Sequence, residues 1–291
     1  MKILTYTATK QDAGKRVEIV LTGQLMISRG LLSRLKRRED GICVNGCRVY
    51  STYVLQEGDL ISANVGDQEP PRCIEPVPME LAVVYEDEDL LALDKPANIP
   101  VHPTKDPKEV NLEQGLLAYL TPGDHPHFVS RLDKGTTGLM LVAKSGYIHE
   151  IMKQRLHTDA FCREYLAVAD GIVTPSSGSV DMPIGFAEGS SYRHCVREDG
   201  AESHTIYETL STGNGRTLLR LLPKTGRTHQ LRVHMAYLGF PLTGDWLYGT
   251  PNGDIDRPAL HSHRLVFVHP VTGERIALAS PLPSDMEKLV S

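Results

Sequence analysis

The apolar positions of this 291-residue chain change period along its length. Val17, Val20, Leu21 and Leu25 recur three and four apart, which predicts an amphipathic helix. Ser28 stands where an N-cap opens a second helix carrying Leu31, Leu32 and Leu35, and Gly41 breaks it. The period then shortens. "ICVNGCRVY" reads as two short strands around Asn45-Gly46, a strong hairpin signal, and Glu57-Gly58-Asp59 turns into a strand at Leu60-Ile61. From Gly66 to Pro78 the chain is proline-rich, acidic and poor in apolar residues, the pattern of an extended linker. The expected division is a small domain over residues 1–66, a linker over 67–80 and a large domain over 81–291.

The large domain alternates two periods. Strands are expected at Leu81–Tyr85, Leu90–Leu93 and Gly138–Ala143, and along "CREYLAVADG". Thr205–Leu210 and Thr217–Leu222 read as a hairpin across "TGNGR". Helices are expected from a cap at Asn111 through Leu120, and from a cap at Ser145 with Ile148, Ile151, Met152 and Leu156 on one face. Another starts from a cap at Thr228 and ends at Gly239, with Pro241 beyond it. Strands outnumber helices and several neighbours look hairpin-linked. The expected class is therefore α+β with a mixed, largely antiparallel sheet.

Composition adds little: 41% hydrophobic and 23% charged is ordinary for a globular protein, and the net charge of −5 announces no anionic partner. Its distribution does. Residues 1–66 hold ten basic against six acidic residues, a local balance of +4, with Arg29, Arg34, Lys36, Arg37 and Arg38 on and after the second helix. A solvated helix end favoured by the helix dipole accounts for some of these. A basic end on an acidic chain also suits a local anionic partner. Five cysteines, an odd number without a C-x-x-C pair, read as reduced thiols of a cytoplasmic protein. No apolar stretch reaches the ~20 residues that span a bilayer, and charges from Lys10 onward interrupt any secretory signal.

Candidate chemistry centres on "SRLDKGTTGLMLVAKS", where Asp133 sits between Arg131 and Lys134 at the mouth of an apolar strand. A positioned carboxylate can attack a sugar anomeric carbon; a turn Asp with a surface ion pair is the commoner reading of such a tripeptide. The segments "LALDKPANIPVHP", "SRLDKGTTGLMLVAKS", "CREYLAVADG", "PKTGRTHQLRVHMAYLGFPLTGDWLYG" and "ALHSHRLVFVHPVTGE" resemble, in this order, the motifs of the RluA family of pseudouridine synthases. The resemblance spans about Leu81 to Asp285, and departs from the family where Ser130 replaces its usual His and Asn98 its usual Gly. Residues 13–65 resemble the αL-type RNA-binding domain that family members often carry in front.

The resemblance implies a pseudouridine synthase fold and cofactor-free isomerisation of uridine in large-subunit ribosomal RNA or tRNA. It makes Asp133 the nucleophile and Tyr165 the tyrosine lying on the flipped uracil. Arg232 becomes the arginine paired with that aspartate, and Arg131 the arginine filling the gap left by the base. Arg227 and His229 either touch RNA backbone or cap and pack the following helix. The basic residues from Arg29 to Arg38 would meet RNA. His229, His234, His261 and His263 are expected as core or surface histidines, with no metal. One RNA-binding unit and one catalytic domain suffice for a monomer. The alternative is an RNA-binding protein whose catalytic domain has little activity, which loss of Asp133, Tyr165 or Arg232 would mark. A glycosidase would need a second acid flanking the bond, and none stands beside Arg131-Leu132-Asp133 in the chain.

Overall fold

A computed structural model describes residues 2–67, 74–104, 106, 108–121, 124–251 and 253–291. Residues 68–73 of the expected linker, Cys73 among them, lie outside the described residues. The N-terminal unit holds β1 (Ile3–Thr7), α1 (Val17–Gly23), α2 (Arg29–Leu35), β2 (Ile42–Val44), β3 (Cys47–Arg48) and β4 (Leu60–Asn64). Its strands form one antiparallel sheet in the order β1-β4-β2-β3. The Ser28 hydroxyl caps α2 by accepting the Leu31 N–H at 3.2 Å. Asn45 and Gly46 both take positive φ, 52° and 79°, as a two-residue turn matched to strand twist requires. The edge strand β1 was not anticipated; its five residues never become fully buried.

The larger unit continues with β5 (Val83–Glu86), β6 (Leu90–Lys95), α3 (Leu112–Tyr119), β7 (His127–Phe128), β8 (Thr137–Ala143), α4 (Gly146–Arg155) and β9 (Phe161–Asp170). Then come β10 (Ser177–Asp181), β11 (Ile184–Phe186), β12 (His194–Val196), β13 (His204–Gly213) and β14 (Arg216–Pro223). The chain ends with α5 (Gln230–Tyr237), β15 (Leu260–Val268), β16 (Arg275–Ala279) and α6 (Ser284–Val290). Ten strands make one sheet along β10-β13-β14-β9-β15-β8-β6-β5, with β16 on β15 and β7 on β8, while β11 and β12 pair separately. Among the described residues only β15 and β8 run parallel; the other neighbours are antiparallel. The class is α+β, as the pattern predicted.

β8 shows why its run is apolar throughout. Successive side chains point to opposite faces, and both faces are covered. Leu139, Leu141 and Ala143 join a cluster with Ile148, Ile151 and Met152 of α4. Met140 and Val142 join another with Leu112 and Leu116 of α3 and Leu231 and Met235 of α5. The first cluster runs on into Val17, Leu21, Leu35 and Ile61 of the N-terminal unit, and the Tyr147 hydroxyl donates to the Leu25 carbonyl at 2.9 Å. The N-terminal unit therefore has its own sheet but shares an apolar cluster with the larger one.

Backbone freedom matters at two places. Gly138 takes φ +104°, and a Cβ there would sit 2.3 Å from the Ser262 carbonyl oxygen, so only glycine lets β8 and β15 approach this closely. Asn98 takes φ 62°, a left-handed position that asparagine tolerates better than most residues.

Candidate active site

The turn that carries Asp133 is clasped from beneath by two buried cations. Its own closure is short: the Thr136 N–H donates to the Asp133 carbonyl at 3.0 Å. Lys95, 1% exposed at the end of β6, donates from Nζ to the Lys134, Pro96 and Ile99 carbonyls at 3.0, 2.8 and 2.9 Å. Burial pushes its ammonium down to about 8, against the pull of Asp133. Arg257 grips Asp285 with two bonds of 2.8 and 2.9 Å and reaches the Gly135 carbonyl at 3.4 Å. The carboxylate of Asp133 is thus set on a fixed turn and left 27% exposed.

Neither cation beside Asp133 in the chain neutralises it. Lys134 pairs with Glu109, and Arg131 is exposed along the cleft. The partner is Arg232, whose Nη1 donates to Asp133 Oδ2 at 3.1 Å. Arg232 is itself anchored behind: Nε and Nη2 donate to the two oxygens of Asp245 at 2.7 and 2.8 Å. The side chain of Arg232 is 5% exposed and that of Asp245 is fully buried. Burial would lower the guanidinium, but Asp245 and then Asp133 outweigh it and hold Arg232 above its ordinary value. Asp245 also accepts the N–H groups of Leu247 and Tyr248 at 3.0 and 3.2 Å. A planar fork gripped on one side can present its remaining donor in one direction only.

α5 brings Arg232 here, and its start differs from expectation. Thr228 does not cap the helix. His229 stands at the N-cap in a left-handed conformation, φ 57°, without a side-chain cap. The carboxamide oxygen of buried Gln230 instead accepts from the Arg227 N–H and the Thr225 hydroxyl at 3.0 and 2.7 Å. Its amide donates to the His204 carbonyl and Thr205 Oγ1 at 2.9 and 3.0 Å. The loop is therefore tied to β13 through Gln230. Gly239, φ 86°, ends the helix as expected.

The left-handed turn aims His229 inward. Its Nδ1 meets the Tyr248 hydroxyl at 2.8 Å and its Nε2 lies 3.9 Å from Asp133. Burial pushes this imidazole below its ordinary value, against Asp133. Tyr248 accepts the His194 N–H at 3.1 Å and lies under the Arg232 guanidinium, 5.1 Å from carbon to ring centre. Tyr165, on β9, is 6% exposed, and burial raises its phenol.

Asp133, Tyr165, Arg232, Arg131, Arg227 and His229 line one cleft of about 540 Å³, inside the ~300–1,000 Å³ typical of ligand sites. The N-terminal cations are not among its lining residues. Arg29, Arg34 and Arg37 are exposed, Lys36 pairs with Glu18 at 3.1 Å, and Arg38 pairs with Asp40 at 3.4 Å and donates to the Gly66 carbonyl at 3.0 Å. Lys95, Asp245 and Tyr248 were missed as site residues, although "LALDKP" and "LTGDWLYG" contain them. The second acid absent from the local sequence is Asp245, but its burial and its hold on Arg232 keep it from a substrate. His234 meets Thr205 and the Met182 carbonyl at 2.9 and 3.0 Å. His261 meets Thr137 and the Ser280 carbonyl at 2.9 and 3.3 Å. Both are core histidines with their nitrogens engaged. Among the described residues no helix is long and apolar enough to cross a membrane.

A profile of the RNA pseudouridylate synthase family matches residues 89–237. The Bacillus subtilis (strain 168) RNA pseudouridine synthase YjbO is 37% identical over 271 residues, covering 92% of this chain and 96% of that protein. The chain belongs to the RNA pseudouridylate synthase family. Its reaction class is therefore that of an isomerase acting on RNA. Ribosomal large subunit pseudouridine synthase D of Escherichia coli O6:H1 is 35% identical over 308 residues, 99% of this chain and 93% of its own. Among solved structures, human RNA pseudouridylate synthase domain containing 1 superposes with a TM-score of 0.60 at 26% identity, over 75% of this chain and 91% of that one.

Proposed function

We propose that this enzyme isomerises specific uridines to pseudouridine in large-subunit ribosomal RNA or tRNA, with Asp133 as nucleophile and no cofactor. The observation that carries this reading is the Asp245–Arg232–Asp133 chain, which ends on a carboxylate open to a cleft of nucleoside scale. The ribosomal assignment is supported by the likeness to the Escherichia coli large-subunit enzyme over almost the whole chain. We assign RNA binding to residues 1–66, with 67–80 as linker and 81–291 as the catalytic domain.

A stacked or paired uridine must leave its helix to enter such a cleft, and Arg131, exposed at the rim, can stack in the space it vacates. Asp133 attacks C1′ while the N1–C1′ bond breaks and the electron pair leaves with the uracil. The ring turns, C5 bonds to C1′, and the Asp133 ester bond breaks. C5 then loses its proton and N1 gains one, so the product is an isomer. Tyr165 keeps its phenolic proton at neutral pH because burial raises it. Its part is a relay, taking the C5 proton while passing its own on. Arg232 holds the carboxylate on line throughout.

The test is to incubate purified protein with ribosomal RNA and tRNA transcripts and map the product base by base. Pseudouridine at defined positions, made by wild type and not by Asp133→Asn, is the expected result. Release of free uracil in its place would make the protein a hydrolase.

A further inference from the structure

We propose that Lys153, His157, Arg163 and Arg227 form a phosphodiester-binding wall in the cleft, gripping the target strand beside the reacting uridine. This rests on the RNA reading above and says where the strand runs. The four residues come from separate places: α4, the turn after it, β9 and the loop before α5. All four line the same cleft as Asp133. Two of them converge on the residue before Arg227. A Cβ on Gly226 would lie 3.5 Å from the His157 ring and 3.6 Å from Arg163 Nη2. His157 takes a left-handed backbone, φ 69°.

What marks the wall as a site is its missing counter-charge. Among the described residues no carboxylate stands within ion-pair distance of Lys153, Arg163 or Arg227. Arg232, buried in the same cleft, has two. Arg227 spends Nε on the Glu202 carbonyl, a neutral acceptor, at 3.0 Å. Burial lowers His157, and Arg163 and Arg227 press it further in the same direction. Such a group of cations is mutually repulsive until an anion arrives, and an anion with several oxygens satisfies several donors at once.

Position selects the anion. Arg163 and Tyr165 stand two residues apart on β9 and so face the same side, about 7 Å along the strand. The wall thus begins one short step from the tyrosine expected to lie on the base. In RNA, what lies one step from a base is its own or its neighbour's phosphodiester, and phosphate contacts set register without reading sequence.

The experiment uses the full chain carrying Asp133→Asn, so that binding is read without turnover, and an RNA hairpin holding a mapped target uridine. Affinity is measured at several salt concentrations with and without Lys153→Ala/Arg227→Ala, and with Arg275→Ala, an exposed cation on β16 outside the cleft lining. The double variant should weaken binding roughly tenfold and flatten the log–log salt slope by about 1.4, or ~0.7 for each lost single-strand contact. Lys153→Arg should keep the wild-type slope. A double variant that behaves like Arg275→Ala overturns the wall. If the double variant is misfolded by circular dichroism, Lys153→Glu decides by the same slope. In parallel, Asp133-containing protein is assayed for pseudouridine on the same hairpin. Absence of product there, with the slope still flattened, sinks the functional reading and leaves the anion site standing.

Discussion

The guanidinium of Arg232 is 5% exposed and holds two carboxylates, whereas Arg29, Arg34 and Arg37 are exposed and, among the described residues, meet none. Both regions put arginine to use, but the physics differs. A buried pair loses its hydration and regains it only through good geometry, so Arg232 can stand in one place alone, and with it Asp133. Exposed cations keep their water and rotamers. They fix nothing, and they attract any phosphate within a Debye length, about 8 Å at physiological salt. The buried Arg232–Asp133 pair is therefore read as machinery for position, and the exposed cations of the N-terminal helix, like those of the cleft wall, as machinery for affinity. Variants in the first should cost rate and variants in the second should cost binding.

The sharpest break is Asp133→Asn, which keeps volume and removes charge. Pseudouridine formation should fall by more than about 10³-fold, the scale of losing a catalytic group, while RNA binding and thermal midpoint stay near wild type. Turnover above a few per cent would remove the nucleophile role. Next is the anchor. Arg232→Lys keeps the charge, but an ammonium cannot grip Asp245 with a fork and reach Asp133 as well. Misplacing the carboxylate by an ångström can cost ~10²-fold, and single-turnover rates should show that loss. Asp245→Ala strands the buried guanidinium and should destabilise by about 3–5 kcal/mol; chemical denaturation that leaves the midpoint unmoved would mean water replaces the carboxylate.

Tyr165→Phe keeps the ring and removes the relay. Its single-turnover rate should drop roughly 10²-fold, near the lower end for a positioned proton-transfer group, with little change in affinity. Equal losses in both would make Tyr165 a packing residue. Lys95 gives a milder, pH-dependent effect. Its folded value of about 8 lies below the ordinary 10.5, so the folded chain sheds this proton first. Between those values the unfolded chain binds more protons, and this group's contribution to stability rises with pH. Its grip on the Lys134 carbonyl meanwhile loses a donor. Rate should therefore decline above about pH 8 with no matching fall in thermal midpoint. If Lys95→Met retains the alkaline decline, another group causes it.

How much of this was legible in the sequence follows from how local each feature is. Ser28, Asn45-Gly46, Asn111, Ser145 and Gly239 act within a few residues, and their caps and turns stand where the pattern put them. Thr228 did not cap, because the loop is fastened by Gln230 to β13, some 25 residues away in sequence. Asp133 and Arg232 could be named from motifs, yet their pairing spans 99 residues and no period reports it. Asp245 and Lys95 were unreadable for a related reason. An acid or a lysine in a sequence reads as surface, and only the packed structure reveals that it is buried against partners.

The smallest effect tests the other half of the comparison. Arg29, Arg34 and Arg37 are exposed on and just after α2, whereas Lys36 and Arg38 already have carboxylates at 3.1 and 3.4 Å. The three unpaired arginines are therefore the ones free to release counterions. Changing all three to Ala in the full chain should leave the fold intact, since none lies in the shared apolar cluster. It is also cleaner than deleting the segment, which would uncover Tyr147 and the sheet face beneath it. Affinity should weaken, and the log–log salt slope should flatten by roughly 0.7–0.9 for each arginine that meets a phosphate. The change belongs in Kd and not in the single-turnover rate at saturating RNA, because these residues do not line the cleft. A slope equal to wild type would take α2 off the RNA surface and leave the cations of the cleft as the source of affinity. A fall in saturated rate would mean that the N-terminal unit, through the apolar cluster it shares with β8 and α4, helps set the turn that carries Asp133.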